Sequence, residues 1–169
     1  MIVILMGVTG SGKTTIGTLL AAKTGWQYAE GDDFHSEANK KKMHAGIPLT
    51  DEDRAPWLAS LHELLYGWFQ AGRNGILTCS ALKQAYRDTL VAGIPHHAYR
   101  FVLLEVSRQH LEERLRDRKN HYMNPALLDS QLATLEQPAD AIRISAEDGA
   151  ERVVQGLLET LRTIGSTVC

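Results

Sequence analysis

Apolar positions along the chain alternate between short continuous runs and longer segments with helical spacing. Ile2–Met6 is an unbroken apolar run, which is typical of a strand buried on both faces. Less regular runs predict four further strands, at residues 26–30, 76–79, 98–106 and 141–145. Helical spacing predicts helices at 14–24, 36–45, from 51 to about 71, at 83–91, after Ser107 and through 153–164. Strands that alternate with helices indicate an α/β fold with three layers, a five-stranded parallel sheet flanked by helices.

Length and charge indicate one domain and give no sign of a protein that binds nucleic acid or membranes. The chain has 169 residues, with 18 Lys and Arg against 20 Asp and Glu, so one weakly acidic domain over residues 1–169 is expected. Such a charge gives no reason to expect a nucleic-acid or membrane-surface partner. No apolar stretch approaches the roughly 18 residues needed to span a bilayer, and no signal-peptide pattern is present. The cytoplasm is therefore the expected compartment.

The two cysteines, Cys79 and Cys169, exclude a disulfide scaffold, because a single pair cannot replace a core of this size. No C-x-x-C pair is present, so a structural zinc site has no starting point.

A phosphate-binding motif carries the firmest chemical prediction. Gly7-Val8-Thr9-Gly10-Ser11-Gly12-Lys13-Thr14 matches G-x-x-x-x-G-K-[ST] completely, between a predicted strand and a predicted helix. Glycines let backbone amides approach an anion, Lys13 brings a positive charge to the β- and γ-phosphates, and the Thr14 hydroxyl can ligate Mg²⁺. ATP and Mg²⁺ are the expected cofactors. The predicted nucleotide-binding residues in this loop are Gly7, Gly10, Ser11, Gly12, Lys13, Thr14 and Thr15.

Other features distinguish among nucleotide-binding proteins. A GTPase needs N-K-x-D, but the run 39–42 has lysine where the aspartate should be. The strand at 76–79 runs into Ser80 without the carboxylate that larger ATPases carry at this position. Small size and this missing carboxylate favour a small-molecule kinase.

Such a kinase needs a proton acceptor and cations near the transferred phosphoryl group. Asp32 and Asp33 follow the second strand, near the carboxyl edge of the sheet, although a helix-capping pair is the alternative. Arg114 and Arg118 lie four residues apart on one helical face, and a basic run with a turn at Asn124 follows. A lid at about 116–126 is predicted, with a merely solvated charged face as the alternative.

Several ordered segments together resemble one kinase family. The matching positions are Gly31-Asp32-Asp33-Phe34-His35, Asn39, Lys42-Met43, Gly46, Pro48-Leu49, Asp51, Asp53-Arg54, Pro56-Trp57-Leu58, Cys79-Ser80-Ala81-Leu82-Lys83, Tyr86-Arg87-Asp88, Arg114, Arg118, His121-Tyr122-Met123, Leu127-Leu128, Ser130-Gln131, Leu135-Glu136 and Pro138. They resemble the signature of gluconate kinases from the phosphate loop to about residue 138. Ser36 stands where proline is common, and Tyr122 where phenylalanine is common, but neither change removes a functional group.

The resemblance implies a P-loop kinase fold like that of nucleoside-monophosphate kinases, with a lid. It implies ATP-dependent phosphorylation of D-gluconate on its terminal primary hydroxyl, giving 6-phospho-D-gluconate, and it suggests a homodimer. A sugar acid needs cations for its carboxylate and hydrogen-bonding side chains for its hydroxyls. The matching segments, mostly within about 32–60, supply Asp32, His35, Asn39, Lys42, Arg54, Lys83 and Arg87.

Catalytic roles are expected for Lys13, Asp32, Arg54 and Arg118. Asp32 would orient and deprotonate the attacking hydroxyl, with Asp33 as second choice. Arg54 would hold the substrate or the migrating phosphoryl group, and Arg118 would stabilise charge on that group from the lid. Arg114 would contact the nucleotide.

Simpler roles remain open for three of the substrate-side residues. Lys83 and Arg87 could be cations on a surface helix, and His35 could be a packed or capping histidine.

Two rival functions stay open at this point. A kinase for shikimate or adenylylsulfate would share the phosphate loop and lid, but it should lack the His35, Asn39 and Lys42 segment joined to Asp53-Arg54. A regulatory protein would bind ATP without phosphoryl transfer. The combination of Lys13, Asp32 and the lid arginines argues against it, because binding alone does not require the whole set.

Overall fold

A computed structural model describes residues 1–117 and 125–166 of the chain. Five strands form one sheet in the order β2-β3-β1-β4-β5, and every neighbouring pair is parallel. The strands are β1 (Ile2–Met6), β2 (Gln27–Glu30), β3 (Gly75–Thr78), β4 (Tyr99–Glu105) and β5 (Ile142–Ser145). The described helices are α1 (Lys13–Thr24), α2 (Glu37–His44), α3 (Asp51–Gln70), α4 (Gln84–Leu90), α5 (Arg108–Asp117), α6 (Pro125–Thr134) and α7 (Ala150–Ser166).

Alternation along the buried strand β1 produces the three layers. Ile4 faces a cluster built with α3 and α4, whereas Leu5 faces a cluster built with α1 and α7. Successive side chains of a strand point to opposite faces, so an unbroken apolar run requires a cover on both sides. The predicted fold class is confirmed, and each predicted strand lies within two residues of its observed bounds.

Local capping explains where the helices of the 32–60 segment begin. Ser36 accepts a hydrogen bond from the Asn39 amide at the start of α2, as the sequence predicts. Thr50 caps α3, and its side chain and that of Asp53 exchange hydrogen bonds with each other's backbone amides. These bonds set the first turn of each helix.

Arg143 does not prevent β5 from forming, because β5 is an edge strand. The Arg143 side chain is exposed and donates to Glu105 and Gln137. None of the described helices combines the length and apolar character needed to cross a membrane.

Candidate active site

The phosphate loop joins β1 to α1 in a positive-φ conformation that its glycines adopt without strain. Gly7, Gly10 and Gly12 have φ values of 142°, 79° and 95°, a region that residues with a Cβ rarely adopt. The ammonium group of Lys13 donates to the carbonyls of Gly7 and Val8, at 3.0 Å each. The lysine charge therefore lies across the mouth of the loop.

A cavity of about 490 Å³ opens beside the loop. Arg114 crosses it, with one guanidinium nitrogen 3.4 Å from the Gly10 carbonyl and another bonded to the Ala146 carbonyl. The predicted nucleotide residues Gly10, Ser11, Gly12, Thr15 and Arg114 all line this cavity. Residues 146–150 also line the cavity, although no motif in the sequence assigns them a role. Their place in the sequence could have indicated this, because they follow the last strand at the same edge of the sheet.

Glu30, the last residue of β2, is a second contribution that sequence reasoning missed. Its carboxylate accepts from the hydroxyls of Thr14, at 2.7 Å, Tyr28, at 3.0 Å, and Thr78. Burial, with Glu30 adding to it, raises the pKa of Tyr28 to about 12, so the phenol stays a donor. A hydroxyl and a carboxylate side by side are the hard oxygen donors that suit Mg²⁺.

Glu30 lies beside the end of β3, where larger ATPases carry a carboxylate and this chain does not. It pairs in register with Thr78 on the neighbouring strand β3, whose end carries no acid. Within residues 1–117 and 125–166, no group of three His, Cys, Asp or Glu side chains could hold a metal by itself. Any Mg²⁺ here would depend on nucleotide phosphates as well as on Thr14 and Glu30.

Asp32 lies on a short 3₁₀ turn, Gly31–Phe34, directly after β2. Gly31 is required there, because a Cβ would lie 2.4 Å from the Thr78 carbonyl oxygen. Asp32 is solvent-exposed as a whole residue, but desolvation by the surrounding protein atoms raises the pKa of its carboxyl. Glu30 adds to the rise, and the charge of Lys13 opposes it. The structure therefore brings the predicted base and the phosphate-loop lysine into one electrostatic site.

His35 lies beside this turn as a packed, neutral ring. It is 6 % exposed and stacks on Trp57, with the ring centroids 4.2 Å apart and the planes 16° from parallel. Burial, assisted by the charges of Arg54 and Lys40, lowers its pKa to about 4. Its buried Nδ1 has no hydrogen-bond partner among the described residues.

Two of the predicted substrate residues connect α2 to α3 through Asp53. The side-chain amide of Asn39 donates to the Asp53 backbone carbonyl at 2.7 Å, and the Lys42 ammonium contacts both carboxylate oxygens of Asp53 at 2.8 Å. Asn39 is 5 % exposed, so its side chain serves packing of the segment. Lys42 is more open, with its side chain 41 % exposed.

A second group of predicted residues forms a cationic cluster at the starts of α3 and α4. Lys83 contacts both carboxylate oxygens of Asp51 at 2.9 Å, and the Tyr86 hydroxyl bonds to the same carboxylate. Arg54 donates to the Leu49 carbonyl at 2.6 Å and to the Tyr86 hydroxyl at 3.4 Å. The bonds from Tyr86 and Lys83 lower the pKa of Asp51. Arg54 and Lys83 thus already surround one carboxylate.

Arg87 is placed differently from the other predicted substrate residues. It is 2 % exposed, and it donates to the carbonyls of Ala81, at 2.9 Å, and Leu82, at 3.2 Å, and to the Gln84 side chain. Ala81 has a positive φ of 45°, which is costly for a residue with a Cβ. These contacts favour a structural role in which Arg87 holds the loop between β3 and α4. Arg118 lies outside the described residues.

Comparisons with known proteins identify the family of the chain. A family model described as an AAA domain matches residues 2–138. Gluconokinase from Gluconobacter oxydans is 46 % identical over 159 residues, covering 92 % of this chain and 88 % of that protein. A crystal structure of a gluconokinase from Sinorhizobium meliloti aligns with a TM-score of 0.85 at 36 % identity, covering 99 % of this chain and 97 % of that one.

A solved shikimate kinase from Aquifex aeolicus aligns more weakly. It has a TM-score of 0.61 at 17 % identity, covering 96 % of this chain and 97 % of that one, a likeness that shows the fold alone. The shared fold and the much closer match to gluconokinases confirm an ATP-using P-loop kinase. The chain belongs to the gluconokinase family.

Proposed function

We propose that the protein transfers the γ-phosphoryl group of ATP to the terminal primary hydroxyl of D-gluconate, giving 6-phospho-D-gluconate and ADP. One observation carries the proposal. Asp32 lies on the turn after β2, where the charge of Lys13 from the phosphate loop acts on its carboxyl, and Arg54 and Lys83 form a cationic cluster in the same substrate-side region. A small anion with a hydroxyl at its far end fits this polarity.

The nucleotide would occupy the phosphate loop and the adjoining cavity. Backbone amides and Lys13 would hold the phosphates, and Arg114 would face the nucleoside. Thr14 and Glu30, bonded to each other at 2.7 Å, would hold Mg²⁺ together with the nucleotide. When bound, Mg²⁺ neutralises charge that develops on the phosphates.

Asp32 would accept the proton of the attacking gluconate hydroxyl. At the same time the oxygen of that hydroxyl would bond to the γ-phosphorus, and the bond from the γ-phosphorus to ADP would break. A raised pKa makes the carboxylate a better base than an ordinary aspartate, provided that it is still ionised at the working pH. Lys13 would stabilise the charge that spreads over the phosphoryl oxygens. Arg118 is proposed to assist from the lid at about 116–126, on sequence grounds.

The carboxylate end of gluconate would meet Arg54 and Lys83. In the structure the cationic cluster binds the carboxylate of Asp51. Its cations are therefore arranged to bind a carboxylate, and the carboxylate of gluconate would bind in the same region. Lys42 is open enough to donate to sugar hydroxyls, and His35, whose Nδ1 is buried, would border this region as a neutral ring. Holding the carboxylate at this end would leave the opposite, primary hydroxyl for Asp32.

ADP release from MgATP tests the activity directly. Release should require D-gluconate, and shikimate, glucose and AMP should give none. Phosphorus NMR of the product should show a phosphate ester coupled to the terminal CH₂ group. Release with another acceptor, or phosphate at a different carbon, would contradict the proposed substrate or position.

Two matched variants test the base. Asp32→Asn should lower kcat by about a hundredfold or more while ATP still binds, because general-base catalysis contributes that much. Asp33→Asn is the control, since it is the adjacent carboxylate on the same turn. Loss of activity in the control alone would transfer the base role to Asp33.

We also propose a cytoplasmic homodimer that acts on a small molecule and not on nucleic acid or membrane. The family resemblance supports the dimer, and the net charge of −2 fits the absence of a nucleic-acid partner. Light scattering of the purified protein measures the assembly, and a monomer mass would contradict the proposed dimer.

A further inference from the structure

One peptide group of the phosphate loop is held at both ends by side chains. The Val8 carbonyl accepts from the Lys13 ammonium at 3.0 Å and from the Ser11 amide at 3.2 Å. The amide of Thr9, which belongs to the same peptide, donates to the Gln131 side-chain oxygen at 2.7 Å. Gln131 is 122 positions away in the sequence, on α6.

Packing fixes the helix that carries Gln131 against the loop. Leu128, one turn earlier on α6, is 2 % exposed in a cluster with Val8, Leu82 and Leu111. Just beyond the helix, the Glu136 amide donates to the Leu82 carbonyl at 2.9 Å. The Gln131 oxygen is therefore presented to Thr9 by a helix anchored on both sides of it.

We propose that Gln131 is a positioning residue that orients Lys13 through the Val8–Thr9 peptide. A buried or partly buried amide prefers to keep its acceptor, so Gln131 resists rotation of this peptide. Rotation would turn the Val8 carbonyl away and remove one of the two carbonyl contacts recorded for the Lys13 ammonium. Electrostatic stabilisation of phosphoryl transfer depends on a charge held in place before the reaction.

Gln131→Met removes the acceptor and keeps the length of the side chain. We expect kcat for gluconate phosphorylation to fall about tenfold, with the gluconate KM within about twofold of wild type, because the lost contact acts on the transferring end of the site. Gln155→Met is the matched control. Gln155 is exposed on α7 and donates to Glu159 one turn further along the same helix, so this variant should keep wild-type kinetics.

A second readout follows the peptide itself. Hydrogen exchange of the Thr9 amide, measured by NMR on the protein without substrates, should accelerate at least about fivefold in Gln131→Met and stay unchanged in Gln155→Met. Gln131→Glu restores an acceptor for the Thr9 amide. It should recover most of kcat, while its negative charge near the phosphates should raise the KM for ATP.

The outcomes separate this inference from the proposed function on which its kinetic test rests. Wild-type kcat in Gln131→Met, or unchanged Thr9 exchange, would overturn the positioning role even if the variant is less stable. The positioning role would also be overturned if the variant were less stable and its kcat and its KM values for gluconate and ATP all worsened by the same factor. If the wild-type protein did not phosphorylate gluconate, the proposed function would fail, but Thr9 exchange would still test the contact.

Discussion

His35 should make the free energy of unfolding depend on pH between about pH 6.5 and pH 4. Its ring is 6 % exposed, and burial lowers its pKa from 6.5 to about 4. In the unfolded chain the imidazole takes up a proton below its ordinary pKa, whereas the folded protein keeps the ring neutral. The folded pKa is the lower one, so this stabilisation is complete above pH 6.5 and is lost as the pH falls toward 4.

The size of the effect follows from the two pKa values. At pH 5 the unfolded chain would be almost fully protonated at this site and the folded chain hardly at all, a difference worth about 2 kcal/mol. Arg54 and Lys40 are among the charged groups that act on the ring, and water near them screens part of this energy. We therefore expect a loss of about 1–2 kcal/mol between pH 7.5 and pH 5.

Urea unfolding of the wild type and of His35→Phe measures this term. Phenylalanine can still stack on Trp57, whose ring centroid lies 4.2 Å from that of His35, but it cannot titrate. All other groups titrate in both proteins, so they cancel in the difference between the two unfolding free energies. That difference should shift by about 1–2 kcal/mol against the wild type on going to pH 5. Equal pH dependence in the two proteins would refute the reasoning.

Three further substitutions test other parts of the site. Arg87→Met should lower the free energy of unfolding by about 3 kcal/mol, because it removes buried donors to loop carbonyls. The gluconate KM of the folded variant should change little. Wild-type stability with a raised KM would instead indicate that Arg87 binds the substrate. Glu30→Gln should raise the Mg²⁺ concentration for half-maximal activity at least tenfold, roughly the effect of losing a group around a metal; an unchanged Mg²⁺ titration would exclude that role. Gly31→Ala should cost about 1–3 kcal/mol in a thermal melt, since its Cβ would lie 2.4 Å from the Thr78 carbonyl; an unchanged Tm would mean that the turn relaxes freely.

Periodicity and motif spacing were sufficient for the fold and for the phosphate loop. The unbroken run Ile2–Met6 requires helices on both faces of the sheet, and the glycines with positive φ lie where the motif places them. Both are local consequences of residue type. The turn carrying Asp32 was also predictable, because it follows a strand at the carboxyl edge.

Residue type alone did not reveal what some polar side chains contact. The sequence of β3 ends without a carboxylate, and the fold supplies one from the adjacent strand, where Glu30 pairs in register with Thr78. Arg87 is predicted to bind the substrate, and the structure adds contacts that the sequence did not indicate, from its guanidinium to the carbonyls of Ala81 and Leu82. Strand order and loop geometry decide such contacts, and neither is written in local spacing.

The sequence by itself determined the layered α/β architecture, the phosphate-binding loop and the resemblance to gluconate kinases. Only the tertiary structure decided which side chains share a site: Asp32 with Lys13, Arg54 and Lys83 around Asp51, and Gln131 on the Thr9 amide. The physical reason is the range of the forces involved. Backbone conformation and amphipathicity depend on near neighbours in the chain, whereas a hydrogen bond or a pKa depends on whichever groups the completed fold brings within a few ångströms.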